Sequence, residues 1–155
     1  MKLFRLLGSA SLFVVAACTP EMATAPAASI ESTTFASSLG INLANFTKSS
    51  TGLYTLDVTA GTGAAAVSGN HLTVHYTGYY TNGTSFDTSI GKTAFGFTLG
   101  TGAVIKGWDE GLVGMKVGGT RKLIVPPDLG YGGGSFNGIP ANSILVFQVQ
   151  LVSIP

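Results

Sequence analysis

From residue 53 onward the chain alternates apolar and polar positions in short runs, divided by Gly, Asn and Pro. Leu72, Val74 and Tyr76 interleave with Thr73, His75 and Thr77, the period-two pattern of a strand with one buried face. Comparable runs rich in β-branched and aromatic residues cover 53–59, 72–80, 95–99, 120–125 and 144–152, which predicts five strands. In the last run Leu145, Phe147, Val149 and Leu151 share a face, while Gln148 and Gln150 lie on the other between Val146 and Val152. Asn82-Gly83 is a dipeptide favoured in hairpin turns, so Phe86 and Asp87 fall just beyond a turn. Only 105–112 has clear helical spacing, with Ile105, Trp108 and Leu112 at i, i+3 and i+7, although Gly107 and Gly111 weaken its propensity. These elements predict an α+β fold: a curved antiparallel β-sheet wrapped across one short α-helix.

The N-terminal third reads differently. Lys2 and Arg5 precede a mostly apolar run of ten residues, Leu6 to Val15, too short to cross a bilayer as a helix but suited to a secretory signal. Cys18 is the only cysteine, so no disulfide can form within the chain, and a thiol at the end of a signal points to acylation. Val15-Ala16-Ala17-Cys18 resembles the lipobox of bacterial lipoproteins, where small residues precede a cysteine that becomes the lipidated first residue of the mature protein. That resemblance implies a signal peptide over 1–17, a lipid on Cys18 and attachment to a membrane of the bacterial cell envelope. Thr19 stands where enteric lipoproteins kept at the inner membrane carry aspartate, which implies the outer membrane, facing the periplasm. Residues 18–50 are rich in Ala, Thr, Ser and Pro and read as a tether, partly ordered at most. Ile30, Phe35, Leu39, Ile41, Leu43 and Phe46 interrupt that reading. They could dock on the domain, form a short helix or meet a second copy. Residues 51–155, about 105 residues, suffice for one small domain with a single core.

Charge removes whole classes of partner. Cleavage after Ala17 takes away two of eight basic residues and no acidic one, leaving six bases against seven acids and a side-chain charge of −1. No basic patch survives, so nucleic acid is not an expected partner. His71 and His75 have no carboxylate or thiol cluster at ligand spacing, and no metal site or other cofactor is expected. No serine sits in a nucleophile-elbow sequence, and neither histidine has an evident acid partner. Gly100 to Gly102 and Gly130 to Gly134 lack the lysine and helix context of a phosphate loop and read as turns.

What remains is a set of aromatics spread through the domain: Tyr76, Phe86, Phe97, Trp108, Tyr131 and Phe147, with Val104, Ile105 and Ile139 alongside. By pattern alone these serve a core as well as a cavity. Their context is specific, however. Val74-His75-Tyr76-Thr77-Gly78, Asn82-Gly83, Phe86-Asp87-Thr88-Ser89 and Phe95 to Gly100 come first, followed by Val104 to Leu112 and Met115 to Gly118. Pro126 to Gly132 and Ile139-Pro140 to Phe147 complete the series. In this order the blocks resemble the FKBP-type peptidyl-prolyl isomerases, and the bacterial exported members most of all. The resemblance spans essentially all of 51–155.

By matching position, the resemblance implies a prolyl pocket with Asp87, Tyr131, Tyr76 and Phe147 as its catalytic residues. Phe86, Phe97, Val104, Ile105, Trp108 and Ile139 would bind substrate, with Trp108 as the floor and the Ile139 N–H offered at the rim. The Tyr131 hydroxyl and that N–H would hold the carbonyls flanking the rotating bond. The partners implied are proline-containing unfolded or exported polypeptides and macrolide inhibitors. Rotation about an X-Pro bond needs no nucleophile, since its barrier of about 18–20 kcal/mol is amide resonance. Two other readings use the same residues: a tethered chaperone that holds proline-containing segments with incidental turnover, and an envelope protein whose domain is a spacer.

Overall fold

The computed structural model describes residues 29–155; the signal sequence and Cys18 lie outside the described residues. Seven strands form one antiparallel sheet: β1 (Thr47–Lys48), β2 (Tyr54–Thr59), β3 (His71–Tyr80), β4 (Ser85–Thr88), β5 (Phe95–Thr98), β6 (Thr120–Val125) and β7 (Leu145–Ser153). Their spatial order is β1-β2-β6-β7-β3-β4, with β5 also paired to β3. All five predicted strands are present. The additions are β1 and β4, too short to show a period of their own. Strand β3 organises the pocket side of the sheet, pairing β5 along its first half, β4 along its second and β7 along most of its length.

One helix, α1 (Lys106–Gly111), crosses the concave face, with Ile105 and Leu112 as its caps. Its two glycines are explained by proximity. A β-carbon on Gly107 would stand 2.7 Å from Val125 Cγ1, and one on Gly111 would stand 2.8 Å from Leu123 Cδ2. The helix therefore gives up propensity, about 1 kcal/mol per glycine, to lie directly on β6. Its ends are tied as well. Asp109 accepts from the Gly100 and Gly102 N–H groups, each at 2.8 Å. Arg121 donates to the Gly111 and Val113 carbonyls at 2.8 and 3.0 Å while its other nitrogens hold Asp57. Between helix and sheet lies the main core, centred on Leu72, Val74, Leu112, Leu123, Leu145 and Val149.

The convex face is also covered. Residues 30–48, expected as tether with at most partial order, run across it through three short 3-10 turns, Ile30–Ser32, Ser37–Leu39 and Leu43–Asn45, and then enter β1. Of the fates left open for their apolar residues, docking on the domain is observed, and short 3-10 helices form within the docked segment. Ile30 and Leu39 bury against Tyr54, Ile124, Ile144 and Val146, and Phe35, Ile41, Leu43 and Phe46 pack around them. This explains why Ile124 and Val146, which point away from the main core, are 0 % and 1 % exposed. Burying a side chain such as Ile30 or Leu39 is worth about 1.5–3 kcal/mol, which offsets part of the cost of ordering the segment.

Candidate active site

Strands β3, β4, β5 and β7 and the start of α1 converge on one cavity of about 170 Å³. Tyr76, Phe86, Phe95, Trp108, Tyr131 and Phe147 supply its aromatic walls, and Val104 and Ile105 its aliphatic rim. Trp108 is the floor. Tyr76 and Phe147 meet it edge to face at 5.1 and 5.4 Å between centroids, the arrangement ring quadrupoles favour. Its indole Nε1 is a buried donor with no hydrogen-bond partner among the described residues. Such an orphan costs about 1–3 kcal/mol, less than burial of about 150–250 Å² of aromatic surface returns at about 25 cal/mol/Å².

Phe86 reaches the cavity over Gly78. The rings of Phe86 and Phe147 lie 5.6 Å apart at 89°, and a β-carbon on Gly78 would stand 2.5 Å from the first and 3.0 Å from the second. A glycine in the middle of β3 weakens the strand; here it makes room for two walls to meet.

The polar groups of the site are few. Asp87 is its only carboxylate, and both oxygens are engaged: Oδ2 accepts from the Tyr76 hydroxyl at 2.5 Å and Oδ1 from the Thr88 N–H at 2.8 Å. Burial, and after it the hydrogen bond to Asp87, pushes the Tyr76 phenol well above the usual tyrosine range. Burial and the nearby Asp87 charge push the Tyr131 phenol up as well. Both hydroxyls are therefore protonated at neutral pH; the Tyr76 proton is already donated to Asp87, and the Tyr131 hydroxyl can donate to a ligand. Neither histidine lines the cavity; His75 Nδ1 lies 3.3 Å from the Ser89 hydroxyl instead.

Eight of the ten residues implied by sequence line this cavity: Asp87, Tyr131, Tyr76, Phe147, Phe86, Val104, Ile105 and Trp108. Phe97 does not. It is 4 % exposed, packed behind Trp108 at 5.7 Å and stacked on Phe95. The reason is register. Phe97 pairs with Leu72, deep in the sheet, whereas Phe95 pairs with Val74, one step from Tyr76, and reaches that ring at 6.0 Å. Phe95 is thus the wall residue that alternation alone, which puts both rings on one face, could not select.

Ile139 is the second correction. Its side chain is buried beside an adjoining cleft formed with Phe86, Asp87, Tyr131 and Phe136, but its N–H is not offered at the rim. It donates to the Phe136 carbonyl at 2.8 Å, and Phe136 returns the bond at 3.0 Å. Asn137 and Gly138, at φ 46° and 84°, close this two-residue hairpin. The Asn-Gly signal read at 82–83 occurs again here and would have foretold it. Ile105 presents the contrasting case. It caps the start of α1, lines the cavity, and its N–H has no acceptor among the described residues, as expected of a helix N-terminus.

Comparison with known proteins agrees with this geometry. The family model for FKBP-type peptidyl-prolyl cis-trans isomerase matches residues 63–152. An FK506-binding protein of Neisseria meningitidis serogroup B is 49% identical over 105 residues, 66% of this chain and 96% of the relative. FK506-binding protein 2 of Dictyostelium discoideum is 54% identical over 89 residues, 56% of this chain and 67% of the relative. Among solved structures, FkpA from Escherichia coli superimposes with a TM-score of 0.66 at 42% identity, covering 71% of this chain and 51% of that one. The aromatic cavity, the sheet wrapped on a single helix and these likenesses together show that the chain belongs to the family of FKBP-type peptidyl-prolyl cis-trans isomerases.

Proposed function

We propose that this protein isomerises X-Pro bonds in polypeptides folding after export, by a non-covalent mechanism in the cavity above Trp108. The observation that carries the reading is the cavity's make-up: six aromatic side chains, two of them neutral phenols, and one carboxylate already held by protein groups. Such a wall supplies shape and low polarity rather than a proton shuttle. The planar amide owes its barrier to charge-separated resonance, and a prolyl carbonyl moved from water onto aromatic edges loses solvation that favoured the planar form. Stabilisation that is greater for the twisted amide than for either planar isomer accelerates the exchange.

The donors assigned to the flanking carbonyls are the Tyr131 hydroxyl and the Ile105 N–H. The latter replaces Ile139, whose N–H is taken by Phe136. Asp87 acts through Tyr76, fixing that ring against Trp108 and placing a negative charge at the cavity wall. FK506-type macrolides would fill the same cavity and compete with substrate.

The setting belongs to the same proposal. The basic start, the ten-residue apolar run and Cys18 support export and lipid attachment, with the domain held on the periplasmic side of the outer membrane. A refolding experiment tests the function. A protein whose slow phase is formation of a native cis-proline refolds over tens to hundreds of seconds unaided. A substoichiometric amount of the mature chain should shorten that phase in proportion to its concentration, and FK506 should abolish the effect. A slow phase indifferent to the protein overturns the proposal.

A further inference from the structure

The segment that crosses the convex face reaches the turn from which one pocket wall hangs. Strand β4, which carries Phe86 and Asp87, is the last strand of the sheet and, among the described residues, pairs only with β3. An edge strand is held on one side, so its placement depends on the turn that feeds it. That turn closes through the Gly83 N–H to the Tyr80 carbonyl at 3.0 Å and the Tyr80 N–H to the Thr84 carbonyl at 2.9 Å. From outside, the Ala36 N–H donates to the Thr81 carbonyl at 2.8 Å. Ser38 seats over the same turn so closely that a β-carbon on Gly83 would stand 2.6 Å from its Oγ.

The far end of the segment is fastened too. Glu31 accepts from the Tyr54 hydroxyl at 2.7 Å and from the Lys48 ammonium, and midway the Lys122 ammonium donates to the Leu39 carbonyl at 2.6 Å. The segment is thus a brace from β2 to the β3–β4 turn. Consecutive residues of β3 connect it to the cavity: Tyr79 packs beneath the brace, and Tyr80 packs on Phe86 at 5.0 Å.

We propose that Ala36 is a positioning residue for the isomerase: its N–H, bonded to the Thr81 carbonyl, fixes the β3–β4 turn and through it Phe86 and Asp87. The proposal rests on the reading of the cavity as the site where the prolyl bond turns. It makes the contact of residues 36–38 with this turn part of the catalytic unit, while the distant fastening at Glu31 serves stability alone.

Ala36→Pro in the mature chain is the test. Ala36 has φ −59° and ψ 140°, values proline adopts, but the ring carbon that replaces the N–H hydrogen cannot fit against the Thr81 carbonyl, so the change removes the donor and forces the segment off the turn. Ala36→Gly keeps the N–H and serves as rescue; Glu31→Gln loosens the brace at its distant end. Each is measured by thermal melt, by kcat and KM on an X-Pro peptide, and by amide shifts and hydrogen exchange. Ala36→Pro should lower kcat/KM about threefold or more, the rate equivalent of one weakened hydrogen bond, speed exchange at Gly83 and shift the Phe86 and Asp87 amides. Ala36→Gly should behave as wild type, and Glu31→Gln should lower the melt while leaving kcat/KM unchanged. The proposal is overturned if Ala36→Pro keeps wild-type kinetics, or if both Ala36→Pro and Glu31→Gln lose activity in proportion to their melts. Absence of turnover in the unsubstituted chain would sink the isomerase reading instead, and the exchange and shift data would still decide the brace.

Discussion

The Tyr76 hydroxyl donates to Asp87 Oδ2 at 2.5 Å, joining neighbouring strands within an aromatic wall. Because the carboxylate is exposed and also accepts the Thr88 N–H, removing it leaves no buried group unsatisfied. Asp87→Leu should therefore lower turnover by about tenfold or more while costing at most about 0.5–1.5 kcal/mol of stability, the net worth of an ordinary hydrogen bond. Kinetics and urea unfolding of the same preparation decide it. Unchanged turnover would reduce Asp87 to a residue that closes the start of a loop.

Gly78→Ala tests the shape of the cavity. Its new methyl would lie 2.5 Å from the Phe86 ring, and overpacking of this kind costs about 1–3 kcal/mol. The rings must part, so activity and macrolide affinity should fall together. A variant that melts lower but binds FK506 as tightly as wild type would show that the junction of Phe86 and Phe147 is not part of the binding surface.

Acid stability should depend on the brace. Hydrogen bonds from Lys48 and then Tyr54 lower the Glu31 carboxyl from 4.5 to about 2. A group with a depressed folded value contributes stability that is present above its unfolded value and lost as pH falls through the folded one. The melting difference between wild type and Glu31→Gln should thus be constant from neutrality to about pH 5 and vanish toward pH 2. A difference that persists at pH 2 contradicts the assignment.

The sheet and the pocket were readable in the sequence for different reasons. Alternation in β3 and β7 and the spacing of Ile105, Trp108 and Leu112 are local signals, and they located strands and helix, whereas Trp108 as the floor came from the family resemblance. Ring assignment on β5 depended on pairing register, which places Phe95 beside Tyr76 and Phe97 behind Trp108; register is a property of two strands and cannot be seen in one. The Ile139 donor was lost to a turn formed by the very next residues upstream, Asn137 and Gly138. The apolar residues of 30–46 were visible as apolar, but the face they cover is assembled from β2, β6 and β7, strands far along the chain.

The proposed membrane attachment rests on Cys18. Cys18→Ser should leave the domain folded and active yet release it from the membrane fraction, because the proposal makes acylation of Cys18 the strong anchor. Fractionation and labelling with a fatty-acid analogue check this. A variant that still requires detergent for release contradicts the lipid anchor.

The central claim is that the prolyl bond turns in the cavity above Trp108 without proton transfer, and exchange spectroscopy on an X-Pro peptide tests it most directly. Cis–trans exchange should quicken in the presence of catalytic mature chain, cease when FK506 is added in equimolar amount to the protein, and stay nearly flat between about pH 6 and 8, since neither histidine lines the cavity. His75→Gln should leave the profile unchanged. A bell-shaped profile centred near neutrality and abolished by His75→Gln, or exchange that persists with FK506 bound, would contradict the mechanism.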